Sequence, residues 1–221
     1  MKPSSFPFII VVLIAIAPLV YLAAIWQSIP AIVPMHFNSQ MQPDRMASKS
    51  ELWFVAILMA GVSLGSYLLL KNIHKIDPKR VGKSSPAGFG RLGMVLVVFI
   101  SVLNLVIIIA SSSPSHAPLK LMPSLISLLF AFIGNYMSSI KPNYFAGIRL
   151  PWTLNSESNW KKTHQLAGKL WFWGGLTVAV VCLFIPDKAG IPALLATMLV
   201  LTVIPAVYSF YLFTKEKNAQ S

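Results

Sequence analysis

The segment from Lys141 to Trp171 reads KPNYFAGIRLPWTLNSESNWKKTHQLAGKLW and lies between two apolar runs of the chain. It carries five cationic side chains, one acidic side chain and three tryptophans. Pro142 and Pro151 predict an extended stretch between them, because proline fixes φ and disfavours the α conformation in the preceding residue. Gly147 allows a tight bend or a close backbone approach. A plain connector between apolar helices needs none of this, so the segment is a candidate functional region.

The second half of this segment is predicted to be an amphipathic helix. Asn155 or Thr153 can cap a helix that begins at the sequence SESNW. Trp160, His164 and either Ala167 or Gly168 then share one helix face, and the lysines lie beside it. An aromatic stripe flanked by lysines predicts a helix that lies flat at the membrane interface and leads into the next apolar run. A plain amphipathic connector is the alternative.

The composition of the chain predicts an integral membrane protein. Of its 221 residues, 56% are hydrophobic and 11% are charged, and the mean hydropathy is +0.70. Soluble domains carry about a quarter charged residues. Apolar blocks close to the ~20 residues that cross a bilayer as a helix predict six spans. These predicted spans are Phe8–Trp26, Leu52–Leu70, Leu92–Ala110, Leu121–Ile140, Leu170–Ile185 and Ile191–Phe213.

The distribution of basic residues predicts the orientation of these spans. Fourteen Lys and Arg residues fall in one set of termini and loops, and four fall in the other set. The positive-inside rule therefore places both termini in the cytoplasm. The net charge of +12 is then explained by contact with the anionic inner leaflet, and direct nucleic-acid binding is not predicted. The expected fold class is an all-α integral membrane protein, a six-transmembrane helix bundle with an amphipathic interfacial helix before span five.

This layout predicts three parts of the chain. They are an N-terminal helical hairpin at 1–70 with an extracytoplasmic loop at 28–50, a basic cytoplasmic loop at 71–91, and a four-helix region at 92–221 that contains the cytoplasmic motif 141–169.

The extracytoplasmic loop is rich in turn-forming and charged residues. Pro43 and Asp44 predict a type I turn. The loop is interpreted either as a folded cap over the bundle or as a surface that recognises a ligand or peptide. A metal site of His36, Asp44 and Glu51 is a third alternative, although their spacing matches no ligand pattern.

The sequence offers little for catalysis. It contains no nucleophile elbow, no HExxH and no P-loop, and no Asp or Glu lies within a predicted span. No enzyme activity, cofactor or metal is therefore predicted. Asn104 and Asn135 are the notable polar residues within spans and are predicted to form interhelical hydrogen bonds. Cys182, the single cysteine, is assigned to packing.

Residues 134–171, GNYMSSIKPNYFAGIRLPWTLNSESNWKKTHQLAGKLW, resemble the signature of the SdpI family of bacterial membrane proteins. The matching motifs are Gly134-Asn135-Tyr136, Lys141-Pro142-Asn143, Gly147-Ile148-Arg149, Pro151-Trp152-Thr153-Leu154, Trp160, Lys162-Thr163-His164 and Gly168. The loop PMHFNSQMQPDRMASK, residues 34–49, also resembles the small domain of unknown function that often precedes the family signature.

The resemblance implies an immunity and signalling role in a bacterial cytoplasmic membrane. The partners it implies are the lipid bilayer, a secreted peptide toxin, and a cytoplasmic transcriptional repressor held at the membrane. The residues expected to contact the external ligand are His36, Asn38, Asp44, Arg45 and Lys49. The residues expected to form the cytoplasmic signalling motif are Asn135, Asn143, Tyr144, Gly147, Arg149, Pro151, Trp152, Thr153, Trp160, Lys161, Lys162, His164 and Gly168.

Other functional classes remain open on sequence alone. A small transporter or channel would need a polar path at mid-membrane, and the spans lack carboxylates for one. A membrane-embedded enzyme would need a nucleophile and a base in proximity, and none is visible. A membrane sensor of another ligand would share the features described above.

Overall fold

A computed structural model describes residues 7–40, 42–76, 86–113 and 117–218 of the chain. The structure is 78% helical. The helices are α1 (Phe8–Ile25), α2 (Glu51–Ile76), α3 (Pro86–Ser112), α4 (Met122–Met137), α5 (Pro151–Asn155), α6 (Glu157–Val181) and α7 (Asp187–Asn218). Two strands, β1 (Ile32–Phe37) and β2 (Pro43–Ser48), lie between α1 and α2, and short 3-10 turns occupy Trp26–Ser28 and Ala117–Leu121.

Five helices of the described chain are long and apolar enough to cross a membrane. These segments are Phe8–Ser28, Glu51–Ile73, Phe89–Ser112, Leu119–Met137 and Asp187–Asn218. Most of the predicted span Leu170–Ile185 lies in α6, which ends at Val181. Helix α6 does not meet that criterion because polar and cationic residues fill its first half. The structure therefore confirms a helical membrane protein, and it does not confirm six spans.

The helices around the predicted basic loop 71–91 are longer than expected. Helix α2 continues to Ile76 and α3 begins at Pro86, so both enter that loop from its ends. The central part of the loop, residues 77–85, lies outside the described residues.

The loop predicted to be extracytoplasmic contains an antiparallel β-hairpin, so the all-α prediction is wrong there. Strand β1 pairs with β2 in a register that includes Val33 with Ala47. The predicted turn at Pro43 and Asp44 is also wrong, because both residues lie in β2. The turn forms earlier, where the Asn38 side chain accepts hydrogen bonds from the backbone N–H groups of Gln40 and Gln42. A proline at the start of a strand is tolerated because no ladder donor is needed there.

The hairpin is attached to the N-terminal helices through an apolar core. Val33 of β1 is buried with Leu22 of α1, Leu52 of α2 and Ile108 of α3. The side-chain amide of Asn104 on α3 donates to the carbonyl of Ala56 on α2, at 3.1 Å. The predicted interhelical hydrogen bond of Asn104 is thus confirmed. Asn135 forms no such bond among the described residues and is exposed on α4.

Helices α4 and α6 cross at very short range because glycines line their contact. A Cβ placed on Gly134 would lie 2.5 Å from the backbone nitrogen of Phe172. A Cβ on Gly168 would lie 2.9 Å from the carbonyl oxygen of Gly134, and one on Gly175 would lie 2.7 Å from that of Ser127. Small residues are what let helix backbones approach in membranes, where dispersion contacts replace the hydrophobic effect as the source of association.

Helix α6 runs alongside the whole of α4 in the opposite direction. At the beginning of α6, the indole of Trp160 donates to the carbonyl of Ile140, just beyond the end of α4. Beyond the end of α6, Asp187 forms an ion pair at 3.1 Å with Lys120, just before the start of α4. The 25 residues of α6 are about 37 Å long, which exceeds the ~30 Å of a bilayer core.

Replacing Gly134 with alanine should destabilise the protein, because the new methyl group meets the backbone of α6 rather than a flexible side chain. We expect a loss of about 1–3 kcal/mol, the usual result of overpacking. Gly61→Ala is the matched control, since a Cβ there has no neighbour within 4 Å. Thermal unfolding in detergent measures both variants. Equal melting temperatures for the two would show that the α4–α6 crossing does not depend on the glycine.

Candidate functional site

The loop between α4 and α5 is organised by Asn143, which is fully buried. Its side-chain nitrogen donates to the carbonyls of Lys141 at 2.8 Å and Ala146 at 3.1 Å. Its side-chain oxygen accepts from the backbone N–H groups of Phe145 at 2.8 Å and Ala146 at 2.7 Å. Both donors and both acceptor positions of the amide are therefore used. Asn143 replaces the regular backbone hydrogen bonds that this irregular segment lacks.

Gly147 brings the loop against α6. Its φ of 112° is a conformation that favours glycine, and a Cβ there would collide with Nε2 of His164. The same Cβ would lie 3.1 Å from the ring of Trp160. The predicted close approach at Gly147 is what the structure shows, and its partner is the His164 imidazole.

His164 joins the loop to α6, and both of its ring nitrogens are hydrogen-bonded. Nε2 accepts a hydrogen bond from the backbone N–H of Ile148 at 3.0 Å. Because a backbone N–H can only donate, the ring proton is on Nδ1, which donates to the carbonyl of Trp160 at 2.8 Å. The imidazole also stacks on the Trp160 ring, with the ring centroids 4.0 Å apart.

Burial lowers the pKa of His164 to about 4, although the hydrogen bond to the Trp160 carbonyl favours the charged form. The side chain is only 1% exposed. At neutral pH the imidazole is therefore uncharged, which is the state required for Nε2 to accept from Ile148. His164 is a structural connection and not a base poised for proton transfer.

The short helix α5 begins at Pro151 and is held by Thr153. The Thr153 hydroxyl accepts from the backbone N–H of Leu150 at 2.9 Å and lies 2.8 Å from the carbonyl of Ile148, to which it donates. The predicted cap of the next helix is wrong: Ser156, not Asn155 or Thr153, accepts from the backbone N–H at the start of α6. Thr153 cannot serve there because it lies within α5 and its hydroxyl is bonded to Leu150 and Ile148.

Two side chains connect this segment to α7 through Ser209. The indole of Trp152 donates to the Ser209 hydroxyl at 2.8 Å. The buried amide of Asn159 donates to the Ser209 carbonyl at 2.9 Å and accepts from the Thr163 hydroxyl at 3.0 Å. Sequence reasoning missed Asn159 and Ser209. A serine within the apolar run 191–213 was the available signal, because a polar residue in a span usually has a partner.

The aromatic stripe predicted for membrane contact is buried inside the protein. Trp160, His164 and Gly168 all face α4 and the loop, and none is exposed. The predicted interfacial helix is also not a separate element, since α6 is continuous from Glu157 to Val181. The stripe became available for internal packing because the loop at 141–150 folds back over it.

The remaining motif residues form an exposed rim around this buried network. Arg149 donates to the carbonyl of Tyr144, and both side chains are exposed. Lys161 and Lys162 are exposed on α6. A polar cleft of about 740 Å³ opens beside them, lined by Lys141, Asn155, Glu157, Trp160 and Lys161 among others. Asn135 and Gly168 line a different cleft on the outer side of the α4–α6 crossing.

The hairpin residues predicted to contact a ligand are held by local pairs. His36 Nδ1 lies 2.6 Å from an oxygen of Asp44, and Arg45 lies 2.7 Å from Glu51. The Lys49 ammonium donates to the carbonyls of Trp26 and Ile29, in the segment that follows α1.

These contacts divide the predicted hairpin residues into a group that holds the fold and a group that is exposed to solvent. Lys49 also lies 4.6 Å from the centroid of the Trp26 ring, so it stabilises the join between helix and hairpin. Asn38 forms the turn. His36, Asp44 and Arg45 are the exposed side chains of the set, on strands that present them to solvent. No cluster of three metal-binding side chains occurs among the described residues.

The geometry defines a helical membrane protein with a polar hairpin at one end and a folded, cation-rimmed motif at the other. Residues 139–209 match the SdpI/YfhL protein family, and residues 13–60 match a domain of unknown function, DUF1648. The chain is also 23% identical over 217 residues to Immunity protein SdpI of Bacillus subtilis (strain 168), which covers 97% of this chain and 98% of that protein. No solved structure matches the chain significantly. The predicted resemblance to the SdpI family is confirmed.

The stability of the protein should fall between pH 6.5 and about 4 because of His164. The folded pKa of about 4 lies below the ordinary 6.5, so the unfolded chain takes up the proton first as the pH falls. The contribution of the neutral imidazole is complete above pH 6.5 and is lost progressively below it. The gap between 6.5 and about 4 corresponds to roughly 3 kcal/mol.

Thermal unfolding in detergent, followed by tryptophan fluorescence across this pH range, measures the effect. His164→Asn is the control: it should be less stable than wild type at pH 7.5, and the difference should shrink towards pH 4. Parallel pH profiles for the two proteins would contradict the assignment.

Proposed function

We propose that the protein is a membrane immunity protein and receptor for a secreted peptide toxin, in the cytoplasmic membrane of a bacterium. The observation that carries the proposal is the alignment with Immunity protein SdpI across nearly the full length of both chains. The two regions matched by family models coincide with the two polar structures of the fold. One includes the β-hairpin and the other includes the buried His164 network.

The proposed topology has six crossings and both termini in the cytoplasm. Helix α6 supplies the sixth crossing despite its low hydropathy, because it begins beside the end of α4 and ends beside its start. A helix that is enclosed by neighbours does not need an apolar surface all round, and α6 packs against both α4 and α7. The excess of basic residues on the motif side supports the orientation.

In this topology the β-hairpin is the outer contact surface. All but one of the β2 residues are exposed, and the exposed apolar side chains of Ile32 and Met46 stand beside the charged pairs. An antiparallel pair with an uncovered strand can also offer backbone groups to an extended peptide. A secreted peptide that is both apolar and charged would find complementary chemistry here.

The cytoplasmic motif is the proposed signalling face. Its buried network fixes the loop to α6 and α7, and its exposed rim of Arg149, Lys161 and Lys162 would meet an acidic surface of a repressor. For a signal to cross, the peptide must favour one of two arrangements of the bundle. Helix α6 extends from the motif to the outer end without a break, so a shift of α6 against α4 can couple the two faces.

Deleting the gene from its native host should make the cells susceptible to the culture supernatant of the undeleted parent strain. Expression of the wild-type chain should restore growth, because a resident immunity protein is the only difference between the strains. Growth curves with and without supernatant measure the effect. Equal growth of the deletion and parent strains in the supernatant would refute the immunity function.

Complementation of the same deletion strain also separates the roles of the exposed cations. Arg149→Ala should abolish protection or capture of the repressor at normal membrane levels, because the loop loses its bond to the Tyr144 carbonyl. Arg91→Ala removes another exposed cation predicted to be cytoplasmic and serves as the control. Combined Lys161→Gln and Lys162→Gln should weaken recovery of the repressor with purified membranes while external peptide binding persists. Full function of Arg149→Ala would exclude a role for this residue.

A further inference from the structure

A second cleft lies on the outer side of the α4–α6 crossing, away from the motif loop and the hairpin. It has a volume of about 470 Å³. Its lining residues are Gly134, Asn135 and Ser138 of α4 and its end, and Gln165, Gly168, Lys169, Phe172 and Trp173 of α6. The close approach of the helices at Gly134 and Gly168 forms the floor of the cleft, and the longer side chains form its walls.

The polar side chains of this cleft are not used by the fold. Asn135, Gln165 and Lys169 are exposed, and in the described parts of the chain none of the three has a side-chain hydrogen bond or ion pair. Amides and ammonium groups are costly against hydrocarbon unless a polar partner satisfies them. They lie on the outer surface of two helices that the proposed topology places in the membrane, where a lipid headgroup can supply that partner.

The polarity of the surface changes in a defined direction along both helices. On α6 the exposed residues change from Gln165 and Lys169 to Trp173, which is 64% exposed, and then to Val180. On α4, which runs in the opposite direction, Asn135 is followed towards the same end by exposed Phe132. Polar groups therefore lie near the predicted cytoplasmic boundary, and apolar groups lie deeper.

We propose that this cleft is a binding site for an anionic phospholipid of the inner leaflet. The Lys169 ammonium pairs with the lipid phosphate, and the amides of Asn135 and Gln165 donate to oxygens of the headgroup. An acyl chain lies along the exposed face of Trp173 and the apolar surface beyond it. The order of polar headgroup and hydrocarbon chain in a phospholipid is the order of polar side chains (Gln165, Lys169 and Asn135) and apolar side chains on the protein.

A free phosphate ion would match only the polar half of this surface. The aromatic and aliphatic residues that continue from Trp173 favour a ligand with a hydrocarbon chain. The cation favours an anionic headgroup over a zwitterionic one, because a single basic residue near an anionic membrane surface contributes about 1 kcal/mol. The site goes beyond the toxin and repressor contacts and does not depend on them.

Quenching of tryptophan fluorescence by brominated lipid tests the site directly. The full-length protein is reconstituted into nanodiscs of phosphatidylcholine that contain increasing fractions of phosphatidylglycerol with brominated chains. The signal of Trp173 is the difference between wild type and Trp173→Phe. We expect Lys169→Gln to need about a fivefold higher fraction of phosphatidylglycerol for half-maximal quenching. Lys169→Arg should restore the wild-type midpoint.

Lys188→Gln is the charge-matched control. Lys188 is exposed at the start of α7, close to the end of α6, and is outside the cleft. Its midpoint should equal that of wild type, and millimolar inorganic phosphate should not shift either midpoint. Equal midpoints for wild type and Lys169→Gln would overturn the proposal, as would equal quenching by brominated phosphatidylcholine. Displacement by inorganic phosphate would assign the site to a free anion. Ready disulfide formation between two copies of Asn135→Cys would assign it to self-association.

Discussion

The His164 imidazole occupies the place that a side chain on Gly147 would fill, and the organisation of the motif depends on this contact. The ring accepts from Ile148 of the loop, and within α6 it donates to the Trp160 carbonyl and stacks on the Trp160 indole. The contacts within α6 orient the ring, and the bond to Ile148 fixes the loop to the helix. Only a glycine leaves room for the ring, and only a neutral ring can accept the Ile148 hydrogen bond. The loop, the helix and the protonation state of the histidine are therefore mutually dependent.

This contact explains how a polar segment can be folded within a hydrophobic protein. The segment satisfies its backbone groups internally, through Asn143 in the loop and Thr153 at α5, and it is then fastened to α7 through Ser209. The interior of the motif is consequently rigid, and its cations remain on the outside. The continuous helix α6 connects this motif to the opposite end of α4.

Much of this arrangement could be predicted from residues that act locally. Apolar runs predicted five helices long and apolar enough to cross a membrane, and Gly147 predicted a close approach to a neighbour. The extended conformation predicted between Pro142 and Pro151 is wrong for residues 142–147, which bend around Asn143. Predictions that required knowing which segments pack against each other were less successful. The stripe of Trp160 and His164 reads as a lipid-facing surface until the loop is known to cover it. The β-hairpin was missed because two prolines and a turn-rich sequence hide the alternation of its strands. Asn159 and Ser209, 50 residues apart, meet only through the packing of α6 on α7.

The central claim is that the hairpin and the motif lie on opposite sides of the membrane and are joined by α6 as a crossing helix. Labelling of single cysteines in spheroplasts with a membrane-impermeant maleimide tests it most directly, in a Cys182→Ser background. Met46→Cys, on the exposed strand β2, should be labelled in intact spheroplasts. Lys161→Cys, on the exposed rim of the motif, should be labelled only after the membrane is permeabilised. Labelling of both positions in intact spheroplasts would contradict the account.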